Sequence, residues 1–207
     1  MNKRNYRSEM DSAVERFRTE GKKPGVLLHT CCAPCASSCL EYLAENCDLT
    51  LYYYNPNIDS LAEYEKRASE VERLIREMYP EGTIRLEVAP WENEAFEKMA
   101  EGLENEPERG SRCLKCYEMR LRKTAEAMNG DYDFFATTLT LSPLKSAEAI
   151  NGIGEKIAAE TGGCYLVSDF KKADGFKRSI ELSGKYRLYR QNYCGCRFSK
   201  RGETNGK

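Results

Sequence analysis

Ten cysteines in 207 residues, and above all their grouping, are the features of this chain that could carry chemistry. Cys31 and Cys32 are adjacent with Cys35 three positions on, Cys113 and Cys116 form a Cys-x-x-Cys pair, and Cys194 and Cys196 flank a glycine. Thiolates bind soft metals, so Cys31, Cys32, Cys113 and Cys116 converging from two turns suit either tetrahedral zinc or an iron–sulfur cluster. Zinc ribbons usually present two Cys-x-x-Cys knuckles. Adjacent cysteines chelate one ion poorly but can reach different points of a larger cluster, so the spacing favours iron–sulfur. Cys35, Cys194 and Cys196 are then surplus thiols for a second metal or a redox dithiol, and a Cys-Gly-Cys pair is close enough for either. Cys113-x-x-Cys116 alone is a weak signal, shared with thioredoxin-type dithiols. Cys39 and Cys47 read as small core residues. His29, the only histidine, reads as a buried supporting residue, because the sulfurs already suffice as ligands.

The first thiols must be positioned by what precedes them. Val26-Leu27-Leu28 lies between Pro24-Gly25 and Pro34, the pattern of a short central strand whose carboxyl end opens into a loop. A helix is predicted after Pro34 through Leu43, placing Cys35 and Cys39 on one face. In open α/β sheets such strand-to-helix turns bind ligands. Phosphate binders fill them with glycine, and this chain fills its turn with sulfur. Ser111 is a candidate N-cap for a second thiol-bearing helix, with Cys113 and Cys116 on one face of its first turn and Asn129-Gly130 as its stop.

Around these, Ser8–Arg18 reads as an amphipathic helix, Leu49–Tyr54 as a second strand and Ile58–Met78 as a long helix. Thr83–Ala89 is a third strand, and a short helix bearing Phe96 and Met99 follows Pro90-Trp91. The acidic stretch Glu101–Arg109 has no apolar period and reads as a loop. Tyr132–Leu139 is a fourth strand, Leu141–Lys145 a second strand-end loop, Ala147–Thr161 a crossover helix and Cys164–Val167 a fifth strand. Repeated strand–helix alternation requires parallel pairing with right-handed crossovers, so the expected architecture is a Rossmann-like three-layer α/β/α sandwich. Lys172–Leu182 could form a further helix. Tyr186 to Cys196 then interleaves cations, aromatics and thiols without a period.

The length suits one domain over residues 1–207, with an N-terminal helical segment, 1–23, and a basic C-terminal segment, 171–207. No apolar run approaches the roughly 18 residues that cross a bilayer. Met1–Lys23 is too polar for a signal peptide, so a cytoplasmic protein with reduced thiols, and not a disulfide scaffold, is expected. The net charge of −1 hides an asymmetry: residues 171–207 carry eleven Lys and Arg and three acids, a charge of +8 that leaves −9 on the rest. A basic end on an acidic protein points to a polyanion such as nucleic acid, or else to a solvated tail.

Five ordered motifs resemble the QueH family of cobalamin-independent epoxyqueuosine reductases, which complete queuosine synthesis in tRNA. They are Leu28–Cys35; Tyr54–Ile58 with Glu63-Tyr64 and Arg67; Arg112–Arg120; Thr137–Leu139 with Ser142-Pro143 and Lys145; and Tyr189–Cys196, together spanning about Pro24 to Phe198. The resemblance implies a fold related to adenine-nucleotide α-hydrolases and PP-loop proteins. It implies a [4Fe-4S] cluster on Cys31, Cys32, Cys113 and Cys116, and an additional mononuclear iron near Cys35, a position that can be aspartate in the family. The implied reaction turns a cyclopentane epoxide into an alkene, consuming two electrons from an external donor and two protons and releasing water. Tyr193, or a thiol of the Cys194 and Cys196 pair, is then a candidate proton donor. Tyr186, Tyr189 and Tyr193 could stack a base splayed from the anticodon loop, and Arg187, Arg190 and Lys200 would meet phosphates. Two other readings remain: a PP-loop-like tRNA sulfurtransferase, whose glycine–serine phosphate loop is missing here, and a zinc-stabilised RNA-binding module.

Overall fold

The structure is a computed structural model that describes residues 4–200. Residues 1–3 of the N-terminal segment and 201–207 of the basic segment lie outside the described residues. Four parallel strands form the sheet: β1 (Gly25–His29), β2 (Asp48–Tyr53), β3 (Arg85–Val88) and β4 (Phe134–Thr137), in the order β3-β2-β1-β4. Leu28 pairs with Leu51 on one side and Ala136 on the other, so β1 is central.

Successive residues of β1 point to opposite faces, and both faces are covered. Val26 and Leu28 pack with Leu40 and Leu43 of α2 (Ala33–Leu43) and with Val71 and Leu74 of α3 (Leu61–Met78). Met10 of α1 (Tyr6–Thr19) joins that core. Leu27 packs on the other face with Leu121 of α5 (Ser111–Glu126) and with Ile150 and Ile157 of α6 (Ala147–Thr161). The result is the expected three-layer sandwich. A short α4 (Asn93–Ala100) and a late α7 (Gly175–Lys185) complete the α-helices among the described residues. Cys39 and Cys47 are buried in the core, as their surroundings in the sequence predict.

Some boundaries differ from the sequence reading for visible reasons. The long helix begins at Leu61 and not Ile58, because Ile58 N–H closes a turn on the Asn55 carbonyl and the Ser60 hydroxyl caps Glu63 N–H. Ser111 is the first helical residue and Gly110 the cap; the Ser111 N–H is taken by the Glu106 carboxylate at 2.9 Å. The fifth strand is reduced to a bridge between Phe135 and Tyr165. Beyond it, Asn151 holds both backbone groups of Ser168, at 2.8 and 3.0 Å, and draws the chain out of the ladder. The Tyr165 ring lies where a side chain on Gly154 would stand, 2.5 Å from an added Cβ, which explains a glycine inside α6.

Candidate metal centre

The turn between β1 and α2 does what its sequence suggests. Cys31 leaves the strand end, Cys32 occupies the cap position of α2 in extended conformation, and Cys35 follows in the first turn behind Pro34. Their three sulfurs lie within 4.8 Å of one another, the only such group of three potential ligands among the described residues. Cys31 Sγ is 3.8 Å from Cys32 Sγ and 3.8 Å from the Thr138 hydroxyl. Such spacing suits thiol donors gathered at a metal centre.

Three thiols this close cannot all ionise unaided, since adjacent thiolates repel. The Cys32 and Cys35 thiols donate to Cys31 and hold its pKa well below the usual thiol value, with Lys145 adding attraction. Donating those hydrogen bonds, with burial, pushes Cys32 up to about 12 and holds Cys35 well above the usual thiol value. The arrangement therefore favours Cys31 as the thiolate of the three, and a bound cation would help the others ionise.

A second set of thiols lines the adjoining cavity. Cys113 and Cys116 project from the first two turns of α5, and Cys194 and Cys196 line the same cavity. Cys116 and Cys196 pack with Phe96 of α4. The Arg109 N–H points at Cys113 Sγ at 3.3 Å. Cys194 is held down to about 5, chiefly by the Cys196 thiol and also by the Ser199 hydroxyl at 3.0 Å, while Cys196 is raised in consequence. Cys113 and Cys116 do not join the close group of Cys31, Cys32 and Cys35. Glu108, Arg120, Lys145, Cys194 and Ser199 line both cavities and form the wall between them.

Arg120 is the group that sequence reasoning missed. It is buried, and its guanidinium donates only to the Cys116 carbonyl and the Asn55 side-chain oxygen, both at 3.3 Å. Burial works against its charge, yet Cys116, Cys31 and Cys194 outweigh it. A buried cation beside sulfur and paired with no carboxylate among the described residues suits an anionic thiolate–metal centre. Arg67 behaves similarly: it is buried, pairs with Glu63 at 2.7 Å, and leaves Nη2 without a partner beside the same pocket. The signal for Arg120 was present, since Cys113, Cys116 and Arg120 follow one another at helical spacings of three and four.

His29 is the expected supporting residue. Its Nε2 lies 3.1 Å from the Tyr54 carbonyl and must donate to it, so Nδ1 accepts from the Thr137 hydroxyl at 2.9 Å. That hydroxyl in turn accepts the Leu139 N–H. Burial, with Arg120 nearby, lowers its pKa to about 3 and keeps the ring neutral.

The Cys-Gly-Cys segment is held by the first half of the chain. Asn57 Nδ2 and Arg67 Nη1 both donate to the Cys194 carbonyl, at 3.1 and 3.3 Å, and Asp59 N–H donates to the Gly195 carbonyl at 3.1 Å. Gly195 has φ of +107°, and an added Cβ would stand 2.8 Å from Ile58 and 3.2 Å from Arg67. Tyr193 and Arg190 line the thiol pocket. Arg187 is exposed and Lys200 is paired with Asp59 at 2.6 Å, so of the three cations expected to meet phosphates only Arg190 lines that pocket. Tyr189 is pinned between Glu63 and the Lys66 ammonium, 3.6 Å from its ring.

Residues 26–202 match the family model described as epoxyqueuosine reductase QueH. The chain is 40% identical over 200 residues to a curated protein of that name from Staphylococcus epidermidis, covering 94% of this chain and 84% of the relative. It is 38% identical to one from Streptococcus pyogenes, covering 93% and 76%, and 32% identical to one from Thermotoga maritima, covering 84% and 89%. No helix among the described residues is long and apolar enough to cross a membrane.

Proposed function

Because this chain belongs to the epoxyqueuosine reductase QueH family and is thereby an oxidoreductase, we propose that it reduces epoxyqueuosine to queuosine within tRNA at the thiol-lined pocket. Both C–O bonds of the epoxide break, a C=C bond forms, and the oxygen leaves as water after two electrons and two protons are taken up. The electrons come from an external donor. A substrate carried on tRNA puts the enzyme in the cytoplasm.

The observation that carries this reading is the meeting of Cys31, Cys32 and Cys35 at the end of the central strand, in a pocket also walled by Cys194 and the buried Arg120. In this reading Cys31, Cys32, Cys113 and Cys116 hold a [4Fe-4S] cluster, and Cys35, Cys194 and Cys196 serve an additional mononuclear iron or a redox dithiol. The charge on Arg120 and the shared thiolate of Cys31 support an anionic metal centre of this kind. Bound there, the cluster would relay single electrons, and an iron with an open position would polarise the epoxide oxygen as a Lewis acid.

The protein's own groups supply the rest. Burial raises the Tyr193 pKa, so its phenol stays protonated and can donate to an oxygen in the pocket. Arg67 and Lys200 flank the ring, 5.1 and 5.4 Å from its centroid, and fix its position. If the Cys194 and Cys196 pair binds no metal, Cys196, kept protonated by its neighbour Cys194, is an alternative proton source. Arg190 at the rim meets the phosphate of a base splayed into the pocket, helped by exposed Arg187.

The test is anaerobic purification followed by incubation with tRNA carrying epoxyqueuosine and a chemical reductant, with nucleosides identified by mass spectrometry. A brown protein whose colour is bleached by dithionite, and which yields queuosine, is the expected result. A colourless protein containing one zinc and making no product would favour the RNA-binding module instead.

A further inference from the structure

Beside the thiol pocket runs a second, wider depression of about 680 Å³, against about 190 Å³ for the pocket itself. It lies between the start of α1 and the first turn of α6, and Lys145 lines both spaces. Five cationic side chains line it, and Glu148 and Asp169 are its carboxylates. Three of the cations are already engaged: Arg4 with Glu9 and Glu155, Arg7 with Asp11 while stacked 3.5 Å over Tyr42, and Lys171 with Asp169. Lys145 and Lys172 have no carboxylate partner among the described residues. The Ser146 hydroxyl caps Ala149 N–H, so the positive end of α6 also opens on this side.

We propose that this groove carries the phosphodiester backbone of the tRNA away from the reacting base, with Lys145 at the junction and Lys172 as its outer phosphate contact. The proposal rests on the tRNA reading above and adds a path to it. An open, cationic groove that joins the reaction pocket through a shared lysine fits a chain of phosphates leaving that pocket. Arg4, Arg7 and Lys171 are answered by their carboxylates and fix the groove's walls, so its free positive charge is that of Lys145 and Lys172 with the start of α6. The basic C-terminal segment alone does not supply this surface: Lys200 is spent on Asp59, whereas Arg4 and Arg7 come from the opposite end of the chain.

The test compares the metal-loaded parent with Lys172→Ala and Lys172→Glu, using filter binding of tRNA across a salt series. Lys172 is exposed and its side chain makes no hydrogen bond or ion pair among the described residues, so melting temperature and metal content should match the parent. Lys172→Ala should lower the slope of log affinity against log salt by about one, and Lys172→Glu should weaken binding about tenfold near physiological salt. Parent-like affinity and slope in both variants would overturn the groove while leaving the tRNA reading intact. A parent that fails to retain tRNA at all would remove that reading and the groove with it.

Discussion

Arg67 on α3 donates to the backbone carbonyl of Cys194, 127 positions later in the chain, at 3.3 Å. Asn57 shares the same acceptor, and Gly195 leaves the space that Arg67 and Ile58 fill. The late thiol pair is therefore held on a scaffold built from the first third of the sequence.

Gly195→Ala should break that arrangement. Its positive φ and the crowded Cβ position cost about 1–3 kcal/mol, or else the loop shifts. Turnover should fall by far more than such a stability loss explains, because Cys194 and Cys196 move together. Thermal melts beside rate measurements check this; a variant with parent-like rate would show that the loop position is not critical.

Among the cysteines, Cys113→Ala should lose the proposed iron–sulfur centre and turnover, whereas Cys47→Ala, in the core beside β2, should keep both. Iron and sulfide analysis separates the two. Full iron content in the Cys113 variant would remove that residue from the ligand set.

For Arg190, which lines the pocket and donates to the Ser183 hydroxyl at 3.1 Å, replacement by Ala should weaken tRNA binding and lower its salt slope by about one without loss of iron. Unaltered affinity would take Arg190 off the RNA face.

Neutral His29 predicts an acid-side loss of stability. Its folded pKa, about 3, lies below the ordinary 6.5, so the unfolded chain binds the proton first. Its contribution is complete above about pH 6.5 and declines as pH falls towards 3, by roughly 2 kcal/mol on reaching about pH 5. Urea midpoints measured across that range should fall, and fall less steeply in His29→Gln. Equal slopes in the two proteins would assign the acid sensitivity to other groups.

The sheet was legible because apolar runs such as Val26–Leu28 are bounded by Pro, Gly and turn residues, and because helical stripes separate them. The turn thiols were legible from spacing alone. Tyr165 was misread as part of a full strand because its apolar neighbours fit the pattern, while the Asn151 side chain that diverts the chain at Ser168 acts across space. Arg120 shares a helical face with Cys113 and Cys116, a spacing that marks it in the sequence, whereas Arg67 lies on a helix whose other faces are rich in charge and only packing against the thiol pocket marks it as buried. Likewise the acidic partner of Lys200, Asp59, is remote in sequence.

The long separation of Arg67 from Cys194 also sets an order of events during synthesis. A chain emerging from the ribosome has delivered its last strand by Thr137 and can close its sheet, yet the segment that walls the pocket is still untranslated. Until Cys194 arrives, Arg67 has only Glu63 to answer its charge, and the early thiols stand open to whatever metal or oxidant the nascent protein meets.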